Sequence, residues 1–327
     1  MTKNTRIGII GCGWIAEKMA ITLQGMEKVE AYAIASRDLN KAETFAQKWN
    51  FTRAYGSYEE MLDDELVDLV YIATPHSHHY AHTRLSLLKG KPVLCEKAFT
   101  ANAKETEELL QLAKEKNLFL TEAIWTRYMP LSQTICELVD NGAIGRPQLL
   151  TANLCYPNYH KKRMHKPELA GGALLDLGVY TLNFAAMVFG TDIIRTTSAC
   201  IKTDTGVDAQ NSITLEYADG KMAILCSSQM AKSDRQGIIS GDKGFMIVDN
   251  INNPQKVSVY DSDYQLTAVY NCPPQITGYE YQVYASIEAL ENGWLESPFM
   301  PHQETLRIMR QMDELRKEWG VIYPSDN

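Results

Sequence analysis

The sequence predicts an α/β protein of two domains: a doubly wound parallel sheet first, then an α+β domain built on a large, mostly antiparallel sheet. Three observations carry this. The run Gly11-Cys12-Gly13-Trp14-Ile15-Ala16 follows an apolar strand-like stretch and opens a helical pattern. Strand-like and helical runs then alternate to about residue 125. Beyond Arg146, strand patterns follow one another with turn residues between them. A chain of 327 residues exceeds what one core usually supports. The division is therefore drawn as 1–125, a Rossmann-type nucleotide domain, and 126–327, a substrate and oligomerisation domain.

In order, strands are expected near Thr5–Ile10, Val29–Ala35, Leu66–Ala73, Pro92–Glu96 and Leu118–Glu122. Asn102–Lys116 carries Leu109, Leu112 and Ala113 on one helical stripe. Pro130 starts a helix with Leu131, Ile135 and Leu138 at i, i+4, i+7. Ser212–Tyr217 and Lys221–Ser227 flank Ala218-Asp219-Gly220 as a hairpin, and Gly237–Ser240 with Phe245–Val248 makes another. Gly172–Phe189 reads as one long helix and Thr305–Trp319 as the closing one.

A net charge of −8 argues against nucleic acid as the partner. Seven scattered cysteines without a C-x-x-C suggest reduced thiols and a cytoplasmic protein, and no signal-peptide pattern opens the chain. Gly171–Gly190 is apolar enough to suggest a membrane span. It holds Asp176 and Asn183 and lacks basic residues at its edges, so a buried helix is expected and no membrane partner.

The chemistry gathers at strand ends. Gly11 permits the tight turn, Gly13 lets backbone amides approach a pyrophosphate, and Ala16 lets the helix pack closely. The helix start offers N–H groups to phosphates, which makes Cys12, Trp14 and Ile15 part of the cofactor-binding stretch. A plain strand–turn–helix is the alternative. The second strand ends in Ser36, Arg37 and Asp38, where an NAD site usually has an acidic residue for the ribose. Ser36 and Arg37, with Lys41 one turn on, suit a 2′-phosphate, so NADP is expected over NAD. Asp38 is read as the N-cap of Leu39–Trp49 in preference to a ribose ligand. Thr74, Pro75, His76 and His79 follow another strand end and are candidates for the nicotinamide end of the cofactor. His78 and His82 have the i, i+4 spacing of a metal pair, but no carboxylate or cysteine lies near in sequence, so no metal is expected. Glu96 and Lys97 end the strand from Pro92 and face the same edge.

Asp176, Tyr180 and Asn183 fall at i, i+4, i+7 on an otherwise apolar helix. Such groups are costly to bury without partners. Asp176 could be a structural carboxylate capping nearby amides; with Lys97 and Tyr180 it reads as an acid–base site. Trp125, Arg127, Tyr156, Arg163 and Asn183 are substrate-side candidates. Packing at the domain junction is the alternative for Trp125, and a solvated basic loop the alternative for Arg163.

Gly11–Ala16, Glu96-Lys97 and Asp176-x-Gly178-x-Tyr180 resemble the Gfo/Idh/MocA family (glucose–fructose oxidoreductase, inositol dehydrogenase, rhizopine catabolism). The resemblance extends over nearly the whole chain, including Ala54–Glu60, Glu122–Arg127, Gly171–Asp176 and Gly320–Pro324. It implies that Lys97, Asp176 and Tyr180 line the catalytic centre, and it implies a homodimer or higher homo-oligomer, for which the C-terminal sheet is the expected surface. Many relatives have histidine where this chain has Tyr180. Ala98 replaces the proline of the usual Glu-Lys-Pro, so the turn after Lys97 is expected to relax. His76 stands where Asn often follows Thr-Pro.

The expected activity is hydride transfer between a nicotinamide and a hydroxyl or carbonyl carbon of a small molecule: a sugar, polyol or trans-dihydrodiol. An anhydro-ketose reductase and a non-catalytic NADP(H) sensor are the alternatives. Tyr180 is the expected acid/base, its phenolate favoured by Lys97, with Asp176 holding Lys97 or the substrate hydroxyl. The reverse assignment, Lys97 carrying the proton, stays open.

Overall fold

The protein is described from a computed structural model covering residues 4–326. Its chain divides into two units. The first unit takes residues up to Ile124 and Gln275–Met309; the second takes Trp125–Pro274 and the chain from Arg310 onward.

The first unit alternates strand and helix: β1 (Thr5–Ile10), α1 (Trp14–Gly25), β2 (Val29–Ala35), α2 (Leu39–Trp49), β3 (Arg53–Tyr55), α3 (Tyr58–Asp63), β4 (Leu69–Ile72), α4 (His76–Leu88), β5 (Val93–Glu96), α5 (Ala103–Lys116) and β6 (Leu120–Ala123). The six strands are parallel in the order β3-β2-β1-β4-β5-β6. The order reverses between β1 and β4, and their C-terminal ends form the crevice where ligands bind in such sheets. β4 and β5 are buried throughout, and β4 reads as a continuous apolar run, as a strand covered on both faces does.

In the second unit, α6 (Pro130–Asp140) precedes β7 (Pro147–Cys155) and the short α7 (Lys162–His165). Then come α8 (Val179–Phe189), β8 (Ile193–Lys202), β9 (Asp208–Tyr217), β10 (Met222–Ser228), β11 (Gly237–Gly241), β12 (Gly244–Val248), β13 (Lys256–Asp261) and β14 (Leu266–Asn271). These eight strands lie in the order β14-β13-β12-β11-β7-β10-β9-β8, antiparallel except for β7 with β10. Both expected hairpins are present, β9 with β10 and β11 with β12. α8 packs on β7 and β10. The apolar stretch Pro167–Phe189 has the length and hydropathy of a membrane span, yet 94% of its most apolar window is buried inside the protein.

Two expectations are corrected. The segment Gln275–Met309 is expected in the second domain but packs in the first unit. It contains α9 (Glu280–Asn292) and the start of α10 (His302–Trp319). Val283 and Ala289 enter the core formed by Ile7, Met19, Phe45 and Leu69. Leu120 N–H donates to Leu295 O at 3.0 Å, and His302 Nε2 lies 2.8 Å from Leu120 O, so this segment covers the open edge of β6. The helix expected over Gly172–Phe189 is also not uniform: Leu174–Gly178 is a π-turn, and α-helix resumes at Val179. Such turns recur at functional sites because they re-aim the side chains they carry.

Gly237 on β11 lets α8 approach the sheet. A Cβ there would lie 2.6 Å from Phe184 Cε1 and 2.8 Å from Ile251 Cγ2. Gly237→Ala should destabilise the protein by about 1–3 kcal/mol through overpacking. Urea unfolding followed by circular dichroism checks this; an unchanged midpoint would contradict the packing.

Candidate active site

In the first unit, Gly11 has φ +104°, and a Cβ there would lie 2.9 Å from Ala73 O. Only glycine lets this turn pass the end of β4. Gly13 has ordinary φ of −92°, and a Cβ there would meet no atom within 4 Å. Neither backbone conformation nor protein packing demands glycine at that point. What its small size does is leave bare the positive end of α1, followed by exposed Trp14 and half-buried Ile15. A pyrophosphate needs such a cradle, so the residues present fit a dinucleotide.

The end of β2 gathers Cys12, Ser36 and Lys41. Burial pushes the Cys12 thiol up to about 11, against the Ser36 hydrogen bond and the Lys41 charge, so it stays protonated. Asp38 accepts from Lys41 N–H at 3.3 Å and caps α2, the role its place in the sequence suggests. Arg37 is exposed and lines a cavity of about 740 Å³ with Ser57, Tyr58, His82 and Arg84. Its guanidinium lies against the Tyr58 hydroxyl.

Pro75 is the N-cap of α4, and Thr74 Oγ1 lies 3.0 Å from His82 Nδ1. The His82 ring meets Tyr58 edge-on, with centroids 4.6 Å apart. His82 is thus part of this wall, its ring centroid 5.7 Å from that of His78, and among the described residues no three His, Cys, Asp or Glu gather as metal ligands. His79 is fully buried, with Nδ1 2.9 Å from Ala98 O and Nε2 2.7 Å from Thr74 O. Burial pulls its pKa down to about 4, outweighing those carbonyls, and the Lys97 charge acts in the same direction. The neutral imidazole has one N–H, so it donates to one of these two carbonyls at a time. His76 is buried beside it, with centroids 5.7 Å apart.

Glu96 turns inward and accepts from the Tyr71 hydroxyl, joining β4 to β5. Lys97 is half-buried at the end of β5. After Lys97, Ala98 is fully buried and its carbonyl lies 2.9 Å from His79 Nδ1.

In the second unit, the polar stripe finds its partners. Asp176, 5% exposed, lies in the π-turn and accepts from both terminal nitrogens of Arg163, at 2.7 and 3.3 Å. The planar fork of arginine matches a carboxylate. Tyr180 Oη accepts from Trp125 Nε1 at 3.0 Å. Asn183 Oδ1 accepts from Arg127 Nε at 2.6 Å, while its amide donates to Val179 O. Arg127 and Asn183, both expected on the substrate side, are buried. Tyr156 is half-buried, its hydroxyl accepting from Arg235 Nη1 at 3.0 Å. Sequence reasoning misses Arg235, because a single arginine in a polar loop gives no signal.

Residues 5–123 match the oxidoreductase family with an NAD-binding Rossmann fold, and residues 132–247 match the GFO/IDH/MocA C-terminal domain. The trans-1,2-dihydrobenzene-1,2-diol dehydrogenase of Mus musculus is 34% identical over 334 residues, covering 98% of each chain. The Homo sapiens protein of the same name is 33% identical over 329 residues, again covering 98% of each. Among solved structures, a 3-ketoreductase from Actinomadura kijaniata in complex with NADP and TDP-benzene superposes with a TM-score of 0.87. It is 24% identical, over 96% of this chain and 98% of that one. An aldose-aldose oxidoreductase from Caulobacter crescentus superposes at 0.86 with 20% identity, over 97% and 98% of the two chains. The structural likenesses show the fold, and the sequence matches show the family: this chain belongs to the Gfo/Idh/MocA oxidoreductases.

Proposed function

We propose that the protein is an NADP-preferring enzyme that oxidises a CH–OH group of a sugar, polyol or trans-dihydrodiol, or reduces the matching carbonyl. One observation carries the reading: the Tyr180 hydroxyl is held by the Trp125 N–H, one turn beyond a carboxylate held by arginine. When bound, NADP supplies the hydride acceptor or donor. The turn at Gly11–Gly13 holds the pyrophosphate. Ser36, Arg37 and Lys41 hold the 2′-phosphate, and Asp38 caps α2 through Oδ1.

Tyr180 moves the proton at its Oη. An N–H donated to a phenolic oxygen stabilises phenolate more than phenol, which favours Tyr180 as a base. Arg163 is 39% exposed at its side chain, so the Asp176–Arg163 pair can turn donors and acceptors to a substrate hydroxyl. Trp125 borders the substrate as well. The names of the relatives support a sugar or diol substrate.

We further propose a homodimer formed through the open face of the eight-stranded sheet, on which Met222 and Ile224 are exposed. The seven cysteines are free, which supports a reducing, cytoplasmic setting.

Tyr180→Phe should lower kcat by about 10²–10⁴-fold, the usual worth of a positioned proton-transfer group. Its NADPH affinity, read by fluorescence, should stay unchanged. Full turnover by this variant would exclude the role. Arg37→Ala should weaken NADP+ binding and leave NAD+ binding nearly as it was. Equal losses for both nucleotides would remove the 2′-phosphate assignment.

A further inference from the structure

Asp208, the first residue of β9, is a fully buried carboxylate with no part in the proton transfer proposed for Tyr180. Its Oδ2 accepts from the Leu174 N–H at 2.7 Å and from Asn211 Nδ2 at 2.9 Å. Leu174 is the first residue of the π-turn that carries Asp176. Asp208 therefore caps this helix start from a neighbouring strand, where Ala173 at the N-cap supplies no side-chain cap.

The surroundings are shaped to this contact. Gly172 has φ +125°, and a Cβ there would lie 2.1 Å from Asp208 Oδ1. Gly172 N–H donates to Met164 O, and Tyr323 Oη donates to Gly171 O at 2.6 Å. A Cβ on Gly171 would lie 2.6 Å from Arg163 O. The two glycines thus bring three things together: the Asp208 carboxylate, the helix start, and the backbone of the arginine that holds Asp176.

The titratable groups facing Asp208 are Cys200 of β8 and Tyr323. Burial pushes Cys200 up to about 12 and Tyr323 well above its ordinary value, so both stay neutral. The charges behind them are Lys202 near Cys200, and Arg316, Asp313 and Asp326 near Tyr323. Arg316 pairs with both of those carboxylates. Asp208 thus relies on the helix N–H groups and the Asn211 amide for its stabilisation. Burial outweighs them and raises its pKa to about 6.

We propose that the charged carboxylate of Asp208 is a positioning residue for the reaction: it fixes the start of the π-turn and, through it, the placement of Asp176 and Tyr180. This rests on the proton-transfer reading of Tyr180. Above about pH 6 the carboxylate accepts the Leu174 N–H as an anion; below it the protonated acid is a weaker acceptor.

The test compares wild type with Asp208→Asn. Wild-type kcat should rise about tenfold as pH rises through about 6, while the NADP+ Kd stays flat. Asp208→Asn should lower kcat about tenfold at neutral pH and lose that acid limb. Hydrogen exchange on the wild type supplies a readout that needs no variant. Protection of the Leu174–Gly178 amides, corrected for intrinsic rates, should weaken as pH falls through about 6. Survival of the acid limb in a folded Asp208→Asn protein would overturn the proposal, as would undiminished protection. Retained turnover in Tyr180→Phe would remove the proton-transfer reading alone, since exchange still reports on the Asp208 cap.

Discussion

A carboxylate, a phenol and an amide on one stripe of a buried helix cannot be left without partners, and that constraint organises the second unit. Removing one partner from a buried ion pair costs about 3–5 kcal/mol. Partial exposure of Arg163 reduces that figure for Asp176. The sequence answers the constraint with segments that run before the helix. The turn Trp125–Tyr128 supplies Trp125 for Tyr180 and Arg127 for Asn183, and the basic loop supplies Arg163 for Asp176. The π-turn sets the angle at which the first of these groups meets its partner. Partner demand thus accounts for the contacts that Asp176, Tyr180 and Asn183 make.

The first unit obeys a different constraint, the approach of backbone to backbone at strand ends. Gly11 must adopt a conformation open to glycine because Ala73 O occupies the space of a Cβ. His79 lies between the turns after β4 and β5, a ring nitrogen facing a carbonyl of each. The start of α1 carries bare N–H groups, and Asp38 caps α2.

Periodicity makes the parallel sheet and both hairpins legible, because period-2 and period-3.6 patterns differ most in long, regular elements. The capping role of Asp38 is legible from its place before Leu39. The return of Gln275–Met309 to the first unit is not: α9 is apolar on the face that meets Met19 and Leu69, but nothing in a helical stripe says which core it joins. The stripe Asp176-Tyr180-Asn183 is visible as a demand for partners, whereas Arg163, Trp125 and Arg127 are visible only as isolated candidates. Pairing them requires tertiary geometry. The π-turn has no signal beyond Gly178, and Asp208 looks like any acidic residue after a turn.

The central claim is that the Tyr180 phenol is held ready to exchange a proton. Ultraviolet difference titration of the NADP+-loaded protein tests it directly. Tyr32, Tyr55, Tyr58, Tyr80 and Tyr323 all have pKa values raised by burial or by a carboxylate neighbour, so they leave the lower range clear. One phenol should ionise below the ordinary value of about 10 and vanish from the titration of Tyr180→Phe. A curve without that ionisation, or one in which it persists in the variant, would contradict the account.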